Sequence, residues 1–213
     1  MSVDKINRGN LIIFEGCDRA SKTTQSKLIV DHLNDLNYTS KLMKFPDRST
    51  NIGKIIDQYL KGEIDIDDYT IHLLFAANRR EKITEICSHL NDGINVIIDR
   101  YAFSGVAFSE AKGLPLEWCK NCDMGIPKPD VVVFLEVDPQ EASLRGGFGD
   151  ERYENINLQT KVKECYKHLI DNTWKTIDTN NKNFNEVYLE ISSYILQNIV
   201  EKNNTSPIYK LWS

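Results

Sequence analysis

The sequence has no long hydrophobic run: none of its 213 residues lies in a stretch approaching the roughly 18 apolar residues of a membrane span. It has no excess of basic charge. Lys and Arg number 26 against 31 Asp and Glu, a formal net charge of −5, which argues against broad sequence-independent binding to DNA or RNA, since that needs a basic face. Its five cysteines, Cys17, Cys87, Cys119, Cys122 and Cys165, are an odd number and give no disulfide framework. Cys119 and Cys122 form a single C-x-x-C, but a zinc site needs two more ligands at suitable spacing and none stands out; reduced thiols on or near a helix are expected. The opening stretch MSVDKINRGN is polar and carries neither an apolar signal segment nor an Arg-rich transit pattern. A cytoplasmic protein is therefore expected, with the nucleus as a second compartment. Repeats, linkers and low-complexity tracts are lacking too, so residues 1–213 are expected to form a single domain.

What is present is patterned for an α/β fold. Apolar runs at Leu11–Glu15, Asn95–Asp99 and Val131–Glu136 fit strands buried on both faces, with Lys41–Phe45 and Trp174–Asp178 completing a central parallel sheet of five. Between them lie helical patterns. Thr23–Leu36 places Leu28, Ile29, His32, Leu33 and Leu36 on one face, and Ile71–Leu90 reads as one long, mostly buried helix. Leu158–Ile170 and Phe184–Ile199 repeat the helical spacing, the second with Phe184, Val187, Tyr188, Ile191 and Ile195. Strand–helix alternation packs as three layers, with ligands beyond the carboxyl ends of the strands. Asp138-Pro139-Gln140-Glu141 has the makings of a capped helix start. Arg145 to Asp150 concentrates glycines, and a mobile lid is expected near 145–154.

Directly after the first strand stands Gly16-Cys17-Asp18-Arg19-Ala20-Ser21-Lys22-Thr23, followed by Thr24. This is the phosphate-binding pattern G-x-x-x-x-G-K-[ST] between strand and helix, with Ser21 in place of the second glycine. Backbone amides that converge on phosphates, a lysine for the β/γ oxygens and a hydroxyl for Mg²⁺ are what the chemistry requires, and Lys22 and Thr23 supply the last two. The third strand ends in Asp99-Arg100-Tyr101, where the carboxylate can hold a water on Mg²⁺ and the arginine a second phosphate.

Together the blocks Phe14-Glu15-Gly16-x-Asp18-Arg19, Phe45-Pro46-x-Arg48-Ser49-Thr50, His72-Leu73-Leu74-Phe75-x-Ala77-Asn78-Arg79 and Asp99-Arg100-Tyr101-x-x-Ser104-Gly105-Val106-Ala107 resemble the thymidylate kinase family in order and spacing. Pro127-Lys128-Pro129-Asp130 and Glu151-Arg152-Tyr153-Glu154 extend the resemblance over nearly the whole chain. It implies a P-loop kinase fold, ATP and dTMP as substrates, Mg²⁺ as cofactor, dTDP for dTTP synthesis as product, and a homodimer. It implies that Gly16, Arg19, Ala20, Ser21, Lys22, Thr23 and Thr24 bind ATP, with Arg145 against adenine. Asp18, Phe45, Arg48, Phe75, Arg79, Arg100, Ser104, Gly105, Phe108 and Tyr153 are implied around dTMP: Asp18 at the 3′-hydroxyl, Arg48 and Arg100 at the phosphate, Phe75 stacked on thymine, Arg79 bonded to it. Arg19, Lys22, Asp99 and Arg100 are the implied catalytic residues, and Thr23 and Asp99 the metal residues, Asp99 through water. In the family a tryptophan commonly follows the base-binding arginine; here Arg80 stands there.

The residue types suit these roles. A planar guanidinium matches two phosphate oxygens better than an ammonium does, and Phe75 and Arg79, four residues apart, share one helix face. Phosphoryl transfer between phosphates needs no general base, because a monoester is already largely a dianion at neutral pH. Another P-loop kinase, acting on a nucleoside or a different monophosphate, would share the ATP half of the pattern and differ in the acceptor; Arg48 suits an acceptor that already carries phosphate. A nucleotide-binding protein without catalysis would have only Ser21 and Arg80 in its favour.

Overall fold

The computed structural model describes residues 7–145, 149–200, 202 and 204–213. Five parallel strands form one sheet in the order β2-β3-β1-β4-β5: β1 Leu11–Glu15, β2 Ser40–Lys44, β3 Asn95–Asp99, β4 Val131–Glu136 and β5 Trp174–Asp178. The central three are buried along nearly their whole length, which is why they read as unbroken apolar runs. The edge strands β2 and β5 carry Lys41, Lys44 and Lys175 and are largely open to solvent, the usual protection of a sheet edge.

Helices α1 (Lys22–Asp35), α2 (Asn51–Leu60), α3 (Asp68–Arg80), α4 (Ile83–Asn91), α5 (Ala102–Ala111), α6 (Leu116–Cys122), α7 (Pro139–Ser143), α8 (Ile156–Tyr166) and α9 (Phe184–Ile195) flank the sheet. The strand-borne core takes in Phe14, Ile97, Val133, Tyr101 and Tyr166; a smaller cluster of Ile56, Tyr59, Leu60 and Ile71 joins α2 to α3.

Several helical expectations change. The long helix expected over Ile71–Leu90 is two helices, broken at Glu81 and Lys82. Asn78 at the end of α3 is fully buried; its side chain accepts from the Asp47 N–H at 2.7 Å and donates to Thr50 at 3.0 Å, so this turn is fixed to the loop after β2. In α1 the buried face is Lys22, Gln25, Ser26, Ile29, Val30 and Leu33, whereas Leu28 and Leu36 are exposed. Leu158–Ile170 is shifted, since α8 begins at Ile156 and ends at Tyr166; α9 ends at Ile195 and continues as a wider turn over Leu196–Val200. Asp138 caps α7 through the Gln140 N–H at 2.8 Å. The reciprocal Glu141 bond is not made, because the Asp138 N–H donates to Asn180 and Glu141 pairs with Arg145.

Candidate active site

Every strand of a parallel sheet delivers its following loop to the same edge, and here those loops enclose a cavity of about 600 Å³. All the anticipated site residues line it except Gly16 and Ala20, which lie buried behind the loop. Residues 146–148 of the expected lid lie outside the described residues.

At one end is the P-loop. Arg19 and Ser21 both take left-handed backbone conformations, at φ 61° and 69°, to turn the chain into α1. Lys22 is 5% exposed and donates to the Cys17 carbonyl at 2.6 Å. Burial, with Arg100 adding to it, brings its pKa down to about 8 against the opposing pull of Asp18 and Asp99. Thr23 Oγ1 donates to Asp99 Oδ2 at 2.5 Å, while Asp99 Oδ1 is buried without a hydrogen-bond partner. A hydroxyl and a carboxylate with one unsatisfied oxygen form a hard-oxygen set that fits Mg²⁺, which takes one or two protein ligands and completes its shell with water and phosphate.

At the other end is a second cationic group. Arg100, also left-handed at φ 67°, donates to the Gly16 carbonyl at 3.2 Å and to Ser104 at 3.1 Å, and it pairs closely with Asp18. Burial alone would lower its pKa, but Asp18, Tyr166, Asp99 and Glu15 outweigh it and raise the value. Arg48 is held between Asp57 at 2.6 Å and Glu151 at 2.7 Å. Beside them lies an apolar compartment. Phe108 stacks on Tyr153 with ring centres 5.4 Å apart, and half-buried Phe75 borders the same space. Arg79, 2% exposed, makes a two-point contact with Asp123.

The phosphate-binding loop, the Asp99 carboxylate, Arg48 and Arg100, and an apolar compartment meet in one cavity. The thymidylate kinase family profile matches residues 14–191. The chain belongs to the thymidylate kinase family. It is 44% identical over 206 residues to a thymidylate kinase of Arabidopsis thaliana, covering 97% of this chain and 78% of that protein. It is 42% identical over 209 residues to the Homo sapiens thymidylate kinase, covering 96% and 98%. A solved thymidylate kinase structure from Candida albicans superimposes with a TM-score of 0.88 at 37% identity, over 96% of this chain and 98% of that one.

Several contacts at the enzyme's site were not assigned in the sequence reading. Glu15 is fully buried and accepts from the Tyr101 N–H at 2.9 Å, the Ser104 N–H at 3.0 Å, Ser104 Oγ at 2.5 Å and Tyr166 at 2.9 Å; it fixes the start of α5 and so the place of Arg100. Gln159 grips Asp18, accepting from its N–H at 2.9 Å and donating to its carboxylate at 2.6 Å. Glu154 accepts from Arg19 at 2.9 Å, and Arg145 donates to the Arg19 carbonyl at 2.6 Å. Phe184, assigned above to a core face, is 60% exposed and borders the cavity. A hydrophobic side chain at the first position of a helix gives the same signal whether it faces core or ligand. Lys44, the last residue of β2, places its ammonium 3.9 Å from Asp99. The cysteines are all free, with Cys119 and Cys122 on α6 and burial pushing the Cys119 thiol up to about 12.

Proposed function

We propose that the cavity transfers the γ-phosphoryl group of ATP to the phosphate of dTMP, giving ADP and dTDP, with Mg²⁺ held by Thr23 and Asp99. The observation that carries this reading is the pairing, in one cavity, of the Lys22 P-loop with a separate arginine site made by Arg48 and Arg100. An acceptor that already bears phosphate gives Arg48 a partner.

The ATP phosphates lie over the P-loop amides and the N-terminus of α1, whose partial positive charge favours anions. Lys22, relieved of the Cys17 carbonyl, meets the β/γ oxygens. Thr23, and Asp99 through water, would hold Mg²⁺, which would supply positive charge to offset that of the phosphates. The dTMP phosphate replaces the lid carboxylate Glu151 on Arg48, and the transferring phosphoryl group replaces Glu154 on Arg19. Both glutamates hold arginines assigned here to phosphate, so on this reading substrate entry and lid rearrangement are linked. Arg100 steadies the acceptor oxygen that attacks phosphorus in line with the departing ADP oxygen; no proton has to be removed. Thymine enters between Phe75 and the Phe108–Tyr153 stack, with Arg79 at its edge. Adenine lies between Arg145 and the exposed ring of Phe184. A homodimer through α3 is part of the same reading, supported by exposed Tyr69 and Leu73 on that helix.

The test is a panel of nucleoside monophosphates and nucleosides with ATP and Mg²⁺, scored by ADP release. The fastest turnover is expected with dTMP, and thymidine, lacking the phosphate, should be poor. Equal turnover of thymidine would remove the role of Arg48 and Arg100. Tight binding of both nucleotides without dTDP formation would remove catalysis.

A further inference from the structure

Arg79 and Asp123 are the most deeply buried ion pair among the described residues, at 2% and 1% side-chain exposure. The arginine Nε donates to Asp123 Oδ1 at 2.7 Å and its terminal NH2 nitrogen to Oδ2 at 2.5 Å. Asp123 is the residue that follows α6, at the start of the loop toward β4. That loop is braced on two sides. The neighbouring Arg80 donates to the Met124 carbonyl at 2.9 Å, and the Gly125 N–H donates to the Leu211 carbonyl at 2.9 Å. Arg80 thus has a definite task where the family commonly has tryptophan.

From the opposite side α5 closes on the guanidinium. A Cβ added to Gly105 would stand 2.8 Å from the Arg79 NH2 nitrogen, so the helix approaches this near only because the side chain is missing. The guanidinium is clamped between a carboxylate and a bare stretch of helix. Two of its five N–H groups are spent on Asp123, and no other hydrogen bond engages the rest among the described residues.

We propose that Asp123 is a positioning residue for base recognition: it locks Arg79 so that the unspent N–H donors meet one ring carbonyl of the pyrimidine, and its negative charge leaves that end of the cavity neutral. The inference rests on Arg79 as the base-contacting residue. A guanidinium has donors only, so a base presenting a carbonyl is accepted, whereas one presenting an exocyclic amino group sets donor against donor and leaves buried polar groups unpaired. An unrestrained arginine could swing aside and tolerate either. Selectivity on this account belongs to the pair.

The experiment compares dTMP with its two analogues in which one or the other ring carbonyl is a thiocarbonyl, a weaker hydrogen-bond acceptor. kcat and KM are measured for the wild-type enzyme, Asp123→Asn and Asp123→Glu, each checked for cooperative thermal unfolding. The wild type is expected to lose roughly 10- to 100-fold in kcat/KM on one analogue, the range for a charge-assisted hydrogen bond. In Asp123→Asn, which swaps one acceptor for a donor, that penalty should shrink to a few-fold, with KM for dTMP raised and kcat nearly kept. Asp123→Glu keeps the charge but displaces the guanidinium by a methylene, and it should shrink the penalty too; it carries the test alone if the Asn variant does not fold. A purely structural role would lower all three substrates by one common factor and leave the penalty intact, which overturns the proposal. A wild type indifferent to both thio substitutions would instead overturn the reading of Arg79 itself.

Discussion

Ser21 is the one departure from the P-loop pattern, and its backbone sits at φ 69°, ψ 13°. A left-handed conformation costs a side-chain-bearing residue roughly 1–2 kcal/mol, while glycine would lose about 0.5–1 kcal/mol more chain entropy on folding. The strain is already present without nucleotide, so it weighs on the stability of the fold and not on nucleotide affinity. Ser21→Gly is therefore expected to raise the stability by up to about 1 kcal/mol, some 2–4 °C in Tm for a chain of this size, with ADP affinity unchanged. Calorimetry and an ADP titration of the two proteins decide it; a glycine variant that binds ADP much tighter without gaining stability would contradict the argument. Arg19 poses a different question, because it is bonded to Glu154 and, on the proposed mechanism, exchanges that partner for phosphate. A charge that reaches the transferring group chiefly in the transition state affects turnover more than affinity. Arg19→Ala should leave ATP binding within a few-fold and lower kcat by about 10³ or more, as arginine fingers do. Loss of ATP affinity at unchanged kcat would make Arg19 a ground-state contact.

At the scale of elements, α3 bears Arg79, the residue proposed to contact the base, and is tied to its neighbours through His72. That ring is fully buried, with Nδ1 2.7 Å from Ser109 Oγ on α5 and Nε2 3.1 Å from the Cys119 carbonyl on α6. Burial lowers its pKa below the ordinary 6.5, with the cation Arg79 adding to this and Asp123 and the Cys119 carbonyl opposing. Since the folded value is the lower one, the unfolded chain binds more protons between the two. The contribution of His72 is then fully present above about pH 6.5 and is lost as pH falls through that window, at most about 1.4 kcal/mol per pH unit. His72→Gln, which cannot titrate, should flatten the slope of stability against pH between 5 and 7, measured by urea unfolding; an unchanged slope would show that other groups set it. The sequence made some of these elements legible and hid others for definable reasons. β1, β3 and β4 announce themselves because both faces are apolar, and the P-loop because it follows β1 directly. α5 gave no period since Ala102–Ser104 and Val106–Ser109 are all buried, leaving no polar stripe to mark a face. The break after Arg80 was invisible because its cause, Asn78 bound to the loop after β2, is a tertiary contact. Glu15, Gln159 and Asp123 were given no role from the sequence, since each has its meaning in a partner more than 40 residues away.

For the whole molecule, α3 has two working sides. Phe75 and Arg79 look into the cavity, and Tyr69 and Leu73, one turn apart on the other side, are each 49% exposed. The Tyr69 ring packs edge-on against Trp118 of α6 at 4.8 Å, so the apolar strip continues onto a second helix. Single exposed hydrophobics are ordinary, but a contiguous strip across two helices suits a surface that is covered. A second copy of the chain covers it most economically, because a two-fold axis through the strip sets the same side chains against each other with no new complementarity required. Such a contact would also stiffen the helix that carries Phe75 and Arg79. Sedimentation at micromolar concentration should thus give a mass near twice 24.5 kDa. Leu73→Glu puts two carboxylates into the contact and should return a folded monomer with an increased KM for dTMP and little change in KM for ATP, whose P-loop lies on a different element. A wild-type monomer at that concentration would mean that the strip is left bare, and a dimeric Leu73→Glu variant would place the interface on another face.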